Sequence, residues 1–427
     1  MADAKVESRG SLRENEPMDE LLIFQAALGL TPPWHVVALR FAEDKSQLDI
    51  ELDFAPGSQF PCPECGKLCG VHDTDHHTWR HLDFFQHKTY LRARTPRVKC
   101  DEHGVRTACV PWARAHSGFT LLLEALIVTY ARNGVTTAAI GRMVGEHDTR
   151  IWRVLEHYVQ AARARLDTSA VTRLGVDETS RAKGHKYISV FVDMQASRII
   201  YATDGKDHET VARFREDFEL HGGCAANVAE VSMDMSKAFI KGVQEQFSDA
   251  KLTFDRFHVM QLANDAVDDV RREEQKHRPE LKGSRLAWLK NYKNHTEVER
   301  ELFEQLRGTT LKTARAWRLK DTLKALYDQP PELAEEHLQR WYFWATHSRL
   351  PPIVTLAKTL KEHWDGILNW FSSGLSQGLV EGLNSLIQAA KARARGFRSV
   401  RKMIVTVYLI AGKLDFQLPA GLRMSPT

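Results

Sequence analysis

VTRLGVD (171–177), KYISVFVDM (186–194), RIIYATD (198–204), AEVSMD (229–234) and KLTF (251–254) are the stretches on which the fold turns. Each is short, rich in β-branched or aromatic residues, and set off by turn-forming residues, so each reads as a strand. Between the third and fourth, VARFREDFEL (211–220) has the spacing of an amphipathic helix. Strands alternating with a helix predict an α/β unit.

Two of these strands are read as ending on an acid, Asp177 after Leu174-Gly175-Val176 and Asp234 after Val231-Ser232-Met233. A strand end presents a side chain without burying its charge, and two neighbouring ends can share hard cations. A third acid, Glu381, sits early in a predicted helix within SQGLVEGLN (376–384). Gly378 and Gly382 flank it and leave room, and Asn384 and Ser385 follow one turn later. Two-metal phosphoryl transfer needs such a carboxylate cluster: one ion activates water or a 3′-hydroxyl, the other stabilises the leaving oxygen. The candidate Mg²⁺ (or Mn²⁺) ligands are therefore Asp177, Asp234 and Glu381.

Toward the N-terminus, Cys62-Pro-Glu-Cys65-Gly and Cys100-Asp-Glu-His103-Gly share a two-residue gap and a following glycine. Tetrahedral Zn²⁺ takes four N or S ligands in pairs from two such knuckles, and a closed site serves folding rather than chemistry. Cys62, Cys65, Cys100 and His103 form the expected set, with Cys69, His72 and Cys109 competing for the fourth place. Segments such as VVALRF, QLDIELDF and KTYLRARTPRVK around the knuckles read as short strands. Arg92 and Arg94 lie with Tyr90 on one face of the last of these, a stripe suited to DNA phosphates. Residues 135–160 then read as a helix-turn-helix. Thr136 and Thr137 cap a helix with apolar positions Ala139, Ile140, Met143 and Val144. Gly145 turns the chain, and Ile151, Val154, Leu155 and Tyr158 face inward from a second helix. Thr149, Arg150 and Arg153 are its candidate DNA contacts.

Toward the C-terminus, residues 256–370 are charged, rich in Trp and helical in period, with breaks at Pro279, Pro330–Pro331 and Pro351–Pro352. The six tryptophans from Trp288 to Trp370 read mostly as packing residues. After Glu381 comes a basic helix carrying Lys391, Arg393, Arg395 and Arg398, then Arg401 and Lys402, a candidate clamp on DNA.

Composition agrees. At roughly 100–200 residues per domain, 427 residues make two to four domains. The net charge of +4 is small, but the basic residues are concentrated: seven Lys/Arg against two acids from Lys88 to Arg114, and six against none from Lys391 to Lys402. Such blocks suit a polyanion. The longest apolar stretch, Phe119 to Ala131, is broken by Glu124 and falls short of the ~18 residues of a membrane span. MADAKVESRGSLRENEPMDE (1–20) lacks the apolar core of a signal peptide and reads as a frayed arm. Five of six cysteines fall between Cys62 and Cys109, which points to metal rather than disulfides.

At these motifs the chain resembles the DDE transposases of bacterial insertion sequences, in the ISL-three (ISL3) group with an N-terminal zinc ribbon. CPECG with CDEHG, VDET, MDMSKAF, DRFHVMQ and, most specifically, SQGLVEGLNSLIQAAKARARGF carry the likeness over roughly residues 50–412. It implies a multidomain α+β protein: an arm and first strand (1–45), a zinc ribbon (46–115) and a helix-turn-helix (116–167). An RNase H-like α/β catalytic core follows (168–262 and 365–412), interrupted by an all-helical insertion (263–364), then a tail (413–427). It carries the catalytic roles to Asp177, Asp234 and Glu381, and sets His258 of the Asp255-Arg-Phe-His258 motif near the scissile phosphate. It further implies a cytoplasmic, nucleoid-associated protein that acts as a homodimer or larger assembly on double-stranded DNA. A DNA-binding regulator with a relict core, and a nuclease that cuts without joining, are the competing readings. Gln377 (for Asn) and His103 (for Cys) depart from the family pattern without removing a carboxylate.

Overall fold

The computed structural model describes residues 20–182, 184, 186–373 and 378–419; Gln377, the arm up to residue 19 and the end of the tail lie outside them. The chain divides into two compact units between Leu155 and Glu156, the first joined by the residues from Gln417 on.

In the first unit, a short helix α1 (Glu20–Ala27) precedes six strands: β1 (Trp34–Ala42), β2 (Gln47–Phe54), β3 (Gln59–Pro61), β4 (Leu68–Arg80), β5 (Lys88–Cys100) and β6 (Gly104–Thr107). They form one sheet in the order β1-β2-β5-β4-β3, with β6 paired to β5. Strict alternation in β2 turns Leu48, Ile50, Leu52 and Phe54 inward. Trp34, Phe54, Phe60 and Trp112 meet mostly edge to face in the same core. β1 pairs antiparallel with β2, so the boundary expected at 45/46 divides a hairpin. β4 and β5 are longer than the short strands expected, and Pro96 sits inside β5. On that side of β5 the pairing with β2 ends at Ala93 and the pairing with β6 begins at Arg97. The missing N–H thus costs no ladder bond.

Helices α2 (Leu121–Arg132), α3 (Thr137–Val144) and α4 (Asp148–Arg163) follow, and the boundary between the units falls inside α4. Thr136 is the N-cap of α3, its hydroxyl accepting from Ala139 N, and Gly145 ends the helix at φ 69°. Ile140, Val144, Ile151, Val154, Leu155 and Tyr158 are buried as expected, but Met143 is exposed, because Ile140, Gly141 and Val144 already form the inward stripe. Glu124 does not break the apolar stretch by facing water; it is fully buried in α2, held by Arg114 at 3.0 Å and Ser117 at 2.6 Å. A side chain at Gly141 would stand 2.6 Å from the carbonyl oxygen of Glu146. Gly141→Ala is therefore expected to cost about 1–3 kcal/mol, because backbone cannot move aside cheaply. A thermal melt checks this; an unchanged melting temperature would refute the close packing.

The second unit is built on a five-stranded sheet of β7 (Arg173–Ala182), β8 (Lys186–Asp193), β9 (Arg198–Asp204), β10 (Glu230–Met233) and β11 (Lys251–Phe254), in the order β11-β10-β7-β8-β9. β7, β10 and β11 run parallel, β8 pairs antiparallel with β7, and β9 pairs antiparallel with β8. Helices α5 (His208–Leu220) and α6 (Lys237–Gln246) make the crossovers into β10 and β11. In β8, consecutive Ile188 to Val192 are all buried, as in a strand covered on both faces. Phe191 stacks on Phe214 of α5 at 4.1 Å.

From β11 to residue 373, every described regular element is helical. α7 (Arg256–Gln275), α8 (Arg285–Leu289), α9 (Glu297–Arg307), α10 (Lys312–Lys324), α11 (Pro331–Thr346), α12 (Pro351–Glu362) and α13 (Trp364–Ser373) follow in turn. α7 is continuous through 262/263, where a boundary was expected. The prolines do more than break helices: Pro331 and Pro351 occupy first turns, where the absent N–H has no intrahelical partner to lose. Trp288 and Trp341 are fully buried, whereas Trp344 is exposed. α14 (Gly378–Arg393) and α15 (Val400–Ala411) complete the unit. Gly366 of α13 lies against the ring of Phe254, which draws that helix onto β11.

Candidate functional site

Asp177 does not end its strand. β7 continues to Ala182 because its hairpin with β8 continues, Asp177 itself facing Val190. The strand end belongs to its other neighbour: β10 stops at Met233, with Asp234 next. The register pairs Ser232 with Gly175, and two residues further on Asp234 comes beside Asp177. Met233 pairs with Phe254, so Asp255 comes beside Asp234. Three aspartates thus stand in one row across β11, β10 and β7, and residues in register on adjacent strands share a face.

α14, which carries Glu381, lies along β7 beside this row. Asn384 Nδ2 donates to Asp177 Oδ2 at 2.6 Å, Gln388 Nε2 donates to Thr179 Oγ1 at 2.6 Å, and Lys391 Nζ donates to the Ser180 carbonyl. Residues 384, 388 and 391 form one helical stripe laid along β7, and Glu381 lies one turn before Asn384 on that stripe. Glu381 and Asp255 line the same cavity. Gly175 allows the approach: a side chain there would meet Val380 at 3.0 Å and Met194 at 2.6 Å. Gly382 faces open space.

Burial raises the Asp177 carboxyl to about 6, and the nearby Asp234 and Asp255 push the same way, against the backbone N–H of Glu178 and the positive field of His258. Asp255 is raised too, chiefly by burial. Asp234 Oδ1 accepts from Ser236 N at 3.0 Å. Among the described residues none of Asp177, Asp234, Asp255 or Glu381 forms an ion pair. Asp177, Asp234 and Asp255 are hard oxygen donors of the type a divalent cation takes, but among the described residues the only Cys, His, Asp or Glu side chains gathered closely enough to hold one ion are the knuckle residues of the first unit. The Asn384 Oδ1, buried without a hydrogen-bond partner, adds a further oxygen beside Asp177.

In the first unit, one ligand atom from each of Cys62, Cys65, Cys100 and His103 lies within 4.8 Å of the others, the closeness and composition of a structural zinc site. Gly66 and Gly104 follow the knuckles with φ of 74° and 68°, which lets the chain double back. Cys69, a competitor for the fourth place, instead bonds the Lys67 carbonyl, and Cys109 is exposed.

The expected DNA-contacting cations differ in their freedom. Arg92 pairs with Asp49 at 3.0 Å and Arg94 with Asp53 at 2.8 Å, both on β2. Arg150 is held by Glu146 at 2.5 Å and lies over the Phe119 ring at 4.1 Å. Arg153, Arg395 and Arg398 are exposed and have no partner among the described residues. The basic run is not one helix. α14 ends at Arg393, Arg395 and Gly396 have φ of 52° and 91°, and α15 opens with Ser399 as its cap. Lys391 and Arg393 thus belong to α14, Arg395 and Arg398 to a turn, and Arg401 pairs with Glu156 at 2.8 Å. Asn384 stood out in the sequence without a partner, and Gln388 did not stand out; the 381, 384, 388, 391 spacing was the available signal for both as positioning residues.

No helix among the described residues is long and apolar enough to cross a membrane. Three family profiles match in order: a zinc-finger of transposases IS204/IS1001/IS1096/IS1165 over residues 58–103, a helix-turn-helix domain of transposase family ISL3 over 108–159, and a transposase domain over 174–407. The chain is 30% identical over 433 residues to the transposase for insertion sequence element IS1557 of Mycobacterium tuberculosis, covering 92% of this chain and 96% of that protein. It is 28% identical over 349 residues to the transposase for insertion sequence element IS1001 of Bordetella parapertussis, covering 79% and 85%.

Proposed function

From the premise that the chain belongs to the ISL3 family of DDE-type transposases, we propose that Asp177, Asp234 and Glu381 hold two Mg²⁺ (or Mn²⁺) ions. With these the protein cuts the terminal inverted repeats of an insertion sequence and joins them to target DNA. The single observation that carries this is the juncture of β7, β10 and α14, where Asn384 ties the Glu381 helix to Asp177 and Asp234 extends the row. Bound there, the ions supply positive charge to the attacking and leaving oxygens of a phosphodiester.

The protein's own groups do the rest. Asn384 fixes one oxygen of Asp177, and the Glu178 N–H, at 2.7 Å, fixes the other. The carboxylate therefore keeps one orientation as charge arrives. His258, in the first turn of α7 and close enough to act on Asp177 and Asp255, is assigned to the neighbourhood of the scissile phosphate. An RNase H-like core is supported by the strand order, with one antiparallel hairpin arm and two parallel crossovers. The helices between β11 and α13 are the insertion. Zn²⁺ on Cys62, Cys65, Cys100 and His103 fixes the ribbon. Arg153, Arg395 and Arg398, with Arg92, Arg94, Arg150, Lys391 and Arg393, supply cations for the phosphates of transposon ends and target. Two ends must be held together, which favours a homodimer or larger assembly on DNA in a cytoplasmic, nucleoid-associated setting.

A pre-cleaved end with a free 3′-hydroxyl, incubated with target DNA and Mg²⁺, should be joined to it. Asp234→Ala and Glu381→Ala should each reduce joining by at least about 10³-fold, as expected when one of a group of cooperating residues is removed. Cleavage without joining would favour a nuclease, and joining that survives both substitutions would overturn the assignment.

A further inference from the structure

The β4–β5 hairpin ends in a feature that neither the zinc site nor the sheet core explains. Phe84 N donates to the His87 carbonyl at 3.0 Å and His87 N to the Phe84 carbonyl at 2.9 Å, so Phe85 and Gln86 alone make the turn. Two-residue turns put Gly, Asn or Asp where φ is positive. Here that place is held by Phe85, at φ 51° and 83% exposed. A bulky side chain at positive φ is a strained choice. This one covers no core: its ring meets Phe84 edge-on at 4.7 Å and otherwise faces solvent. The turn itself is held firmly. Phe84 N also donates to Thr89 Oγ1 at 3.0 Å, and the Phe84 ring packs on Phe24 of α1 at 5.1 Å.

The roots of this hairpin lie on the turn of the helix-turn-helix. Arg80 is buried, pairs with Asp83 and donates to the Val144 carbonyl at 3.1 Å. Lys88 Nζ comes within 2.6 Å of where a side chain on Gly145 would begin. Phe85 is three residues from Lys88, at most about 11 Å along the chain, so the exposed ring is carried beside the α3–α4 turn. The charge there suits a polyanion. Lys88, Arg142 and Arg153 are exposed, and none is in an ion pair among the described residues. The nearby acids are taken up: Asp83 by Arg80, Glu146 by Arg150 at 2.5 Å, and Asp148 lies 3.1 Å from His147. An apolar tip alone would equally suit a second copy of the chain. The free cations around it, and its root on the DNA-reading turn, favour DNA.

Resting on the reading of this chain as a binder of terminal repeats, we propose that Phe85 is a wedge. With α4 in the major groove, the hairpin tip enters the adjacent minor groove. The Phe85 ring goes between two neighbouring base pairs, unstacks that step and bends the duplex, while Lys88 takes a phosphate beside it. A ring without polar atoms forms no hydrogen bond to a base edge, so the wedge reads how easily a step opens rather than which bases form it.

The test uses the full chain without divalent metal and a duplex carrying the terminal repeat, with a fluorophore at each end, read by energy transfer. Wild type should bend the duplex by roughly 20–90°. Phe85→Gly should remove most of the bend and weaken binding about tenfold, without lowering the melting temperature of the free protein, because glycine suits that backbone. Phe85→Leu, still an apolar wedge, should keep the bend. A straight duplex on wild type, a bend that survives Phe85→Gly, or a Phe85→Gly protein that melts below wild type would overturn the proposal. A metal-free, DNA-free dimer in sedimentation that Phe85→Gly dissociates would assign the ring to a second copy instead. The bend is read without Mg²⁺ and so independently of the carboxylates. Joining that is lost in Asp234→Ala, alongside a straight duplex on wild type, would sink the wedge and keep the catalytic reading.

Discussion

Asp177→Asn should abolish strand cleavage and at the same time stabilise the metal-free protein. The Asp177 carboxyl is raised from 3.8 to about 6, first by burial and then by Asp234 and Asp255. A group whose pKa is higher in the folded state favours folding when protonated. Its contribution is complete below about pH 4 and is lost as pH rises through 6. At neutral pH the charged form therefore works against the fold, by on the order of 2–3 kcal/mol before allowance for its partial exposure. The amide carries no charge, and the orphaned Asn384 Oδ1 gives its N–H an acceptor once the Asn384 amide turns over. Thermal melts without metal should rank the variant above wild type at pH 7.5 and close to it at pH 4.5. Mg²⁺ should raise the melting temperature of wild type and leave the variant unmoved. Cleavage should fall by about 10³-fold or more. A variant that melts lower than wild type at pH 7.5 would mean that Asp177 is a structural, not a strained, acid.

The second large effect concerns the knuckles. Loss of metal, by chelation or by Cys100→Ala, should unfold β3, β6 and the loops that carry the cysteines while leaving the rest of the first sheet folded. Structural zinc supplies on the order of 10 kcal/mol to a small site, and β3 and β6 have only three and four residues, of which Phe60 alone packs in the sheet's core. By contrast Leu48, Ile50, Leu52, Leu91 and Trp79 belong to a core that takes in only Cys62 and Cys100 of the four ligands, at its edge. Hydrogen exchange should rise at residues 59–70 and 100–107 only, and binding to the terminal repeat should drop with it. Mg²⁺-dependent stabilisation of the second unit should be unchanged. Global unfolding on chelation would show that the sheet's apolar core cannot stand without the metal.

Several features were legible in the sequence because they are local. The paired Cys-x-x-Cys and Cys-x-x-His spacing, the threonine cap and Gly145 turn of the helix-turn-helix, and the five strand runs around VARFREDFEL each depend on neighbours within a few residues. Their hydrophobic period and turn chemistry suffice to place them. Asp177, Asp234 and Glu381 could be named because each sits in a short recognisable frame. What the sequence could not supply was partnership across distance. That Asp177 lies mid-strand, freed by the early end of β10, depends on a register between residues far apart in the chain. So does the addition of Asp255 to the row, and the laying of Asn384, Gln388 and Lys391 along β7. The basic run looked like one helix because charge is a property of composition, but Arg395 and Gly396 adopt left-handed backbone and split it. Arg92, Arg94 and Arg150 looked like free cations until the fold brought Asp49, Asp53 and Glu146 beside them. Local geometry follows from the chain's covalent and steric preferences; which charges meet, and which are left unbalanced, is settled only when distant segments pack.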